Sequence, residues 1–219
     1  MQFSEVKNNC ILDASKTMYP SILSGITQGT LSLKNETSTY YGFVNHGNFT
    51  IKMKSSPAQN LVKGMYFSVT GSAEFSGDGQ AIVIERVGYR GMNQFGGPVE
   101  DKGRLCYIDN CSTSIIIPPA RLGDPVFNLL VFPPNTNQTM HIHPTVRLGI
   151  VYEGHGECVM PNRDPLPLKP GMAFYLYEEA AHCFRSFGET MKIIAFHPDS
   201  DVGPTDETHP MLSRTYTKF

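Results

Sequence analysis

The chain has 219 residues, with 18 Lys and Arg against 20 Asp and Glu, a formal net charge of −2 and 17% charged residues. That length supports one or two compact domains around a buried core. Lys and Arg are scattered, so neither nucleic acid nor an anionic membrane surface is the expected partner, and no run approaches the roughly 20 apolar residues of a membrane span.

Twenty Gly and 16 Pro beside 13 Phe and 10 Tyr fit a turn-rich β protein. The segment from Met1 to Cys10 lacks the apolar stretch of a secretory signal. Cys10, Cys106, Cys111, Cys158 and Cys183 are odd in number and widely spread, which reads as free thiols of a reducing compartment. A cytoplasmic protein is expected. Cys106 and Cys111 have no second pair to complete a zinc knuckle.

In chain order, a first unit is expected over residues 1–88, ending in the strand-like run 81–87. Residues 89–103 are glycine-rich without a strand pattern and read as a linker. A second unit over 104–219 carries strand-like runs at 114–117, 126–132, 148–152, 172–177 and 191–196, separated by Gly, Pro, Asn and Asp. From Pro198 the chain is rich in Pro, Asp and Thr and reads as irregular surface tail. No helical period extends beyond two or three turns.

Between the second and third of these later runs lies His141-Ile142-His143, and His182 follows about 40 residues on. Period-two spacing puts both imidazoles of an H-x-H on one face of a strand. A third histidine from a neighbouring strand closes a face of nitrogen ligands around one divalent metal, leaving positions open for substrate or water. Iron, copper, nickel, zinc and manganese all accept imidazole.

The chain also repeats itself. Gly42, Val44, Gly47, Met53, Leu61, Gly64, Met65 and Phe67 recur as Gly149, Val151, Gly154, Met160, Leu168, Gly171, Met172 and Phe174, all at an offset of 107 (154 − 47). One register holding glycines and apolar positions across two strand-like runs reads as a duplicated β module. Subtracting 107 from the histidines gives Lys34, Glu36 and Phe75, so the first copy lacks the ligands.

These residues resemble the cupin superfamily. "HIHPTVRLGIVYEG" (141–154) is similar to the first cupin motif, G-x5-H-x-H-x3-4-E-x6-G. "GMAFYLYEEAAHCFRS" (171–186) is similar, more loosely, to the second, G-x5-P-x-G-x2-H-x3-N, with His182 at its histidine and Tyr177, Glu179 and Ser186 replacing proline, glycine and asparagine. The resemblance implies an all-β, duplicated jelly-roll β-barrel (a bicupin): a degenerate, metal-free barrel first and a metal-binding barrel second. The implied cofactor is one divalent metal on His141, His143 and His182, iron favoured, with zinc, nickel or manganese as the others.

Arg147 stands where the family supplies a glutamate ligand. A guanidinium repels a cation; turned inward it clamps a substrate carboxylate or phosphate, and turned outward it pairs with Glu153 or Glu157. Tyr175 and Tyr177 share a strand face and offer phenols to a bound substrate, or pack with satisfied hydroxyls. Cys183 and Gln138 are expected to face away, and His155, His197 and His209 to lie at the surface.

The expected function is a metal-dependent enzyme acting on a small, anionic organic molecule; three-histidine cupins imply non-haem iron dioxygenases, alongside isomerases and lyases. The alternative is a non-catalytic cupin that binds or senses a small ligand, which the missing glutamate and relaxed second motif favour. Exposed sheet edges suggest a homodimer.

Overall fold

The computed structural model describes residues 1–8, 11–201, 205, 211, 215 and 216. His209 and Cys10 lie outside the described residues, as does most of the tail. Among the described residues there are seventeen strands, with a 3-10 turn at Ile108–Asn110. Among the described residues no helix is long and apolar enough to cross a membrane.

The earlier strands are β1 (Gln2–Glu5), β2 (Ile11–Ala14), β3 (Ser21–Leu33), β4 (Thr39–Met53), β5 (Gln59–Val62), β6 (Tyr66–Thr70), β7 (Ala73–Arg86) and β8 (Gln94–Gly96). The later ones are β9 (Leu105–Cys106), β10 (Ser112–Ile117), β11 (Val126–Phe132), β12 (Arg147–Glu153), β13 (Gly156–Val159), β14 (Leu166–Leu168), β15 (Met172–Leu176), β16 (Cys183–Ser186) and β17 (Met191–His197). All pair antiparallel, in a sheet ordered β2-β3-β7-β4-β6-β8 with β5 on β4, a sheet ordered β1-β15-β12-β17-β11-β10-β9, and a small sheet β14-β13-β16.

Two expectations about boundaries change. β1, at the start of the first unit, is an edge strand of the later sheet, pairing Gln2 with Tyr175. The linker also contains a strand: β8 pairs with β6, Phe95 opposite Phe67. Long-range pairing of this kind leaves no local signature in a three- or four-residue segment.

The pairing plan of the first sheet recurs in the later ones. β4 takes β7, β6 and β5 as partners; β12 takes β17 and β15, and β13 takes β16 and β14. The β4·β7 ladder slips between Val44 and His46, and the β12·β17 ladder slips between Val151 and Glu153, at the repeat's own offset. The repeated glycines have a shared cause. Gly42 lies opposite Phe67 and Gly149 opposite Phe174; in each case the ring covers the bare Cα, and a Cβ there would collide with it. At the offset's ends, Gly64 and Gly171 both take φ above +80° in the turn before the aromatic strand, a conformation open to glycine.

Three apolar clusters follow from side-chain alternation. Residues such as Phe49, Phe67 and Phe75 fill the first half, and Phe132, Val151, Phe174 and Ile193 fill the later one. A third cluster joins the halves, bringing Tyr41, Phe43 and Ile84 against Leu148, Ile150 and Phe196. Strands β12, β15 and β17 are thus buried on both faces. On each, one parity faces the later half's interior and the other faces the junction.

Candidate metal centre

β11 ends at Phe132, and the chain then runs without regular strand pairing until β12 begins at Arg147. Within that gap His141 and His182 form an isolated antiparallel bridge, each backbone N–H donating to the other's carbonyl at 3.0 Å. His143 follows two residues on, its carbonyl accepting from Glu179 N at 2.8 Å, while the intervening Ile142 is exposed. The three rings converge, with centroids 4.8 to 5.1 Å apart. One nitrogen of each lies within 4.8 Å of the others.

Backbone carbonyls orient two of the rings. His141 Nδ1 lies 2.7 Å from Thr139 O, and His182 Nδ1 lies 2.9 Å from Ala180 O. A carbonyl accepts only, so each Nδ1 carries the proton and each Nε2 keeps its lone pair. Thr139 is itself held by Asp109, which accepts from Thr139 N at 2.6 Å and from its hydroxyl at 3.1 Å. Burial, with smaller repulsion from Arg147 and the other rings, lowers the His143 pKa to about 3. Burial lowers that of His182 to about 4, against the Ala180 carbonyl, which raises it. Neutral imidazoles are the form that binds metal.

His182 Nε2 is buried without a hydrogen-bond partner among the described residues. A lone pair in that position, flanked by two further imidazoles, suits a divalent cation.

The rings edge a cavity of about 90 Å3. Its floor is apolar, with Phe132, Phe174, Leu176, Phe184 and Ile193 among the lining residues. Arg147 lines it too, resolving the sequence alternative in favour of the inward side chain: it shares the parity of Val151 on β12 and is only 8% exposed. The outward partners are taken, since Glu153 pairs with Lys63 and Lys192, and Glu157 with Arg185. Arg147 Nη1 donates to Thr145 O, Thr145 Oγ1 and Val146 O at 2.7 to 3.0 Å, while Nε has no partner among the described residues. Burial lowers its pKa to about 10, with Asp199 acting in the opposite direction. It stays cationic at neutral pH.

The structure moves three other expected residues. Tyr175 and Tyr177 do not line the cavity: Phe174 and Leu176 take the inward parity of β15, Tyr175 packs in the junction cluster, and Tyr177 is surface-exposed, accepting from Gln2 Nε2 at 3.1 Å. Gln138 lines the cavity and is buried, its Oε1 accepting from Phe184 N at 3.3 Å. Strand parity does not carry from 138 to 141, because only isolated bridges hold this stretch.

His197 is the residue the sequence reading missed. It lines the cavity with its ring 6.4 Å from that of His143, and burial beside Arg147 and His143 holds its pKa well below the usual imidazole value. The signal was present: Ile193, Ala195 and His197 alternate along β17, and the first two face inward. His155 does lie at the surface, bonded to Glu189 at 2.6 Å. Cys183 is buried but does not line the cavity.

Among solved structures, the chain is similar to a cupin 2 conserved barrel domain protein from Leptotrichia buccalis, at 13% identity over 88% of this chain and 90% of that one, TM-score 0.62. It is similar to Bacillus subtilis oxalate decarboxylase at 9% identity, over 93% and 76%, TM-score 0.56. It is also similar to salicylate 1,2-dioxygenase from Pseudaminobacter salicylatoxidans at 9% identity, over 87% and 76%, TM-score 0.62. The fold is that of cupin-domain proteins. No protein-family model and no curated protein matches the sequence.

On this cupin fold the histidine face belongs to the later half alone. By strand pairing, the place of the His141–His182 bridge is taken in the first half by Leu33 opposite Ala73. The constant offset had pointed to Lys34 and Phe75 instead. It fails there because the β15–β16 connection is two residues longer than the β6–β7 connection, measured between Phe67 and Phe75 and between Phe174 and Phe184.

Proposed function

We propose that the later half is a metal-dependent cupin enzyme acting on a small anionic organic molecule, and that the first half is its degenerate, metal-free duplicate. One observation carries this reading: three imidazoles converge at a cavity whose wall is a buried guanidinium to which, among the described residues, no acidic side chain is bonded. The repeated pairing plan and shared ladder slip support the duplication. We place the metal-free unit at 1–88 and the metal unit at 104–219, with β1 crossing to the later sheet.

His141, His143 and His182 would hold one divalent metal, iron favoured. When bound, such a metal supplies Lewis acidity or, as iron(II), a site for oxygen, with open positions for substrate. The chain's own residues do the rest. Arg147 offers charge and a free N–H to a substrate carboxylate, and Thr145 and Val146 hold its other end. Thr139 and Ala180 keep the imidazoles in register. The phenylalanine and leucine floor excludes water, which strengthens the electrostatic contacts above it. The similar fold of enzymes named for oxalate and salicylate, one described with Mn(II) centres, supports a carboxylate substrate and an oxygen-dependent or decarboxylating reaction.

The test begins with elemental analysis of protein purified anaerobically, then oxygen uptake with iron(II) across carboxylate, thiol and diketone panels. Stoichiometric metal lost in His182→Ala, together with turnover, is the expected result; turnover unchanged in His182→Ala overturns the reading. Arg147 in the glutamate position favours a second reading, a ligand-binding cupin without chemistry, which metal-free protein holding a tight small ligand would establish. We further propose a cytoplasmic homodimer. The edge strand β2, with Ile11 59% exposed, supports association, and sedimentation gives the mass.

A further inference from the structure

Three buried polar atoms on the cavity's lining residues have no hydrogen-bond partner among the described residues: His182 Nε2, Arg147 Nε and Asn128 Oδ1. A metal accounts for the first. The other two are a cationic donor and a neutral acceptor, and buried polar groups left unpaired are uncommon and costly.

Asn128 lies on β11 opposite Ala195 of β17, and its Nδ2 is 3.4 Å from His197 Nε2. An amide nitrogen donates only, so in this contact His197 Nε2 accepts from the Asn128 amide. That contact turns the amide nitrogen to the histidine and leaves the amide oxygen free for a donor. Asn128, Arg147 and His197 also line a second cavity of about 280 Å3 that reaches Asp199, so the three stand between the metal centre and a wider outer space.

We propose that this wall selects a small carboxylate carrying a hydroxyl or amino group one or two carbons from its carboxyl carbon. The carboxylate sits on Arg147, and the O–H or N–H donates to Asn128 Oδ1. The inner cavity of about 90 Å3 admits only a handful of non-hydrogen atoms, which keeps the two groups close together on the ligand. A plain carboxylate of the same size leaves Asn128 Oδ1 unpaired, and sites built to pair a ligand's donor discriminate strongly against analogues that lack it. This inference rests on Arg147 being the anion contact and adds Asn128 as the specificity residue, with His197 positioning it.

Calorimetric titration with glycolate, lactate and glycine against acetate and propionate tests it, on zinc-loaded and on metal-free protein, with zinc stoichiometry measured in the same samples. The hydroxy and amino acids should bind more tightly by about tenfold or more. Asn128→Leu should shrink that preference, read as the ratio of hydroxy- or amino-acid affinity to plain-acid affinity within each protein; any preference due to chelation by zinc persists in both proteins and so cancels. If the leucine variant does not fold, Asn128→Val, a strand former without a hydrogen-bonding side chain, replaces it. An undiminished preference in the Asn128 variant, or no preference in the wild type, overturns the inference. Zinc bound without a preference sinks this inference alone, whereas a preference without zinc sinks the metal reading alone.

Discussion

The two halves share a pairing plan and differ in where their strands break. In the first, β3 and β7 form a ladder running from Ser21 opposite Arg86 to Leu33 opposite Ala73, with one slip. In the later half the corresponding β11·β17 ladder stops at Phe132 opposite Met191 and resumes only as two isolated bridges, Asn137 with Arg185 and His141 with His182. The apolar pair closing one ladder is replaced by an imidazole pair closing the other. The histidine cluster sits where the ladder is interrupted: backbone freed from pairing brings Gln138, His141 and His143 to one cavity, which strict alternation would forbid.

The largest expected difference between the halves is in metal content. His182→Ala should abolish stoichiometric metal, whereas Leu33→Ala should leave it intact, both read by elemental analysis of refolded, metal-equilibrated protein. Metal retained by the His182 variant would break the comparison at its root. Next in size are the aromatic rings over the paired glycines. Phe67→Ala and Phe174→Ala should each destabilise by about 3–5 kcal/mol in urea unfolding, and only the second should also weaken metal binding, since Phe174 lines the cavity and Phe67 does not.

Acid should separate the halves as well. Unfolded histidines take up protons near pH 6.5, but His143 and His182 in the folded chain do so only at about 3 and 4. Between those values the unfolded state binds more protons, so metal-free protein should lose stability as pH falls from 6.5 towards 4. In the first half, Lys54 and Ser72 hold the Glu36 carboxyl at about 2, so its contribution is present above about 4.5 and fades only below that. Thermal melts of metal-free protein at pH 7, 5.5 and 4.5 should therefore fall steadily, and His143→Gln should flatten the fall. A flat wild-type profile over this window would contradict the buried, neutral state of these rings.

Much of this was legible in the sequence. Glycine and aromatic identities at a constant offset pointed to the pairing plan that the two halves share, and the H-x-H with a distant histidine pointed to the three-histidine cluster. Strands buried on both faces hid the rest. Along β15, Phe174 and Leu176 face the cavity while Tyr175 faces the junction between halves, and nothing in an all-apolar, all-aromatic run distinguishes the two parities. His197 was readable from Ile193 and Ala195 but sits beside Pro198, whose turn-like context suggested surface. Gln138 departs from the expected parity because no continuous ladder enforces alternation between it and His141.

The smallest predicted effect probes the interruption itself. Asp109 lies at φ +55° in the 3-10 turn and holds Thr139, whose carbonyl fixes the His141 ring. Asp109→Gly removes both hydrogen bonds at a backbone conformation glycine adopts freely, so strain does not confuse the result. Supporting groups behind metal ligands typically contribute 10–100-fold in affinity. One step further removed, Asp109 should contribute about tenfold, the lower end of that range. Competition titration against a chelator reads this directly. The corresponding stretch of the first half is held by a continuous ladder instead, so an unchanged affinity would mean that the bridge to His182 alone suffices to place His141.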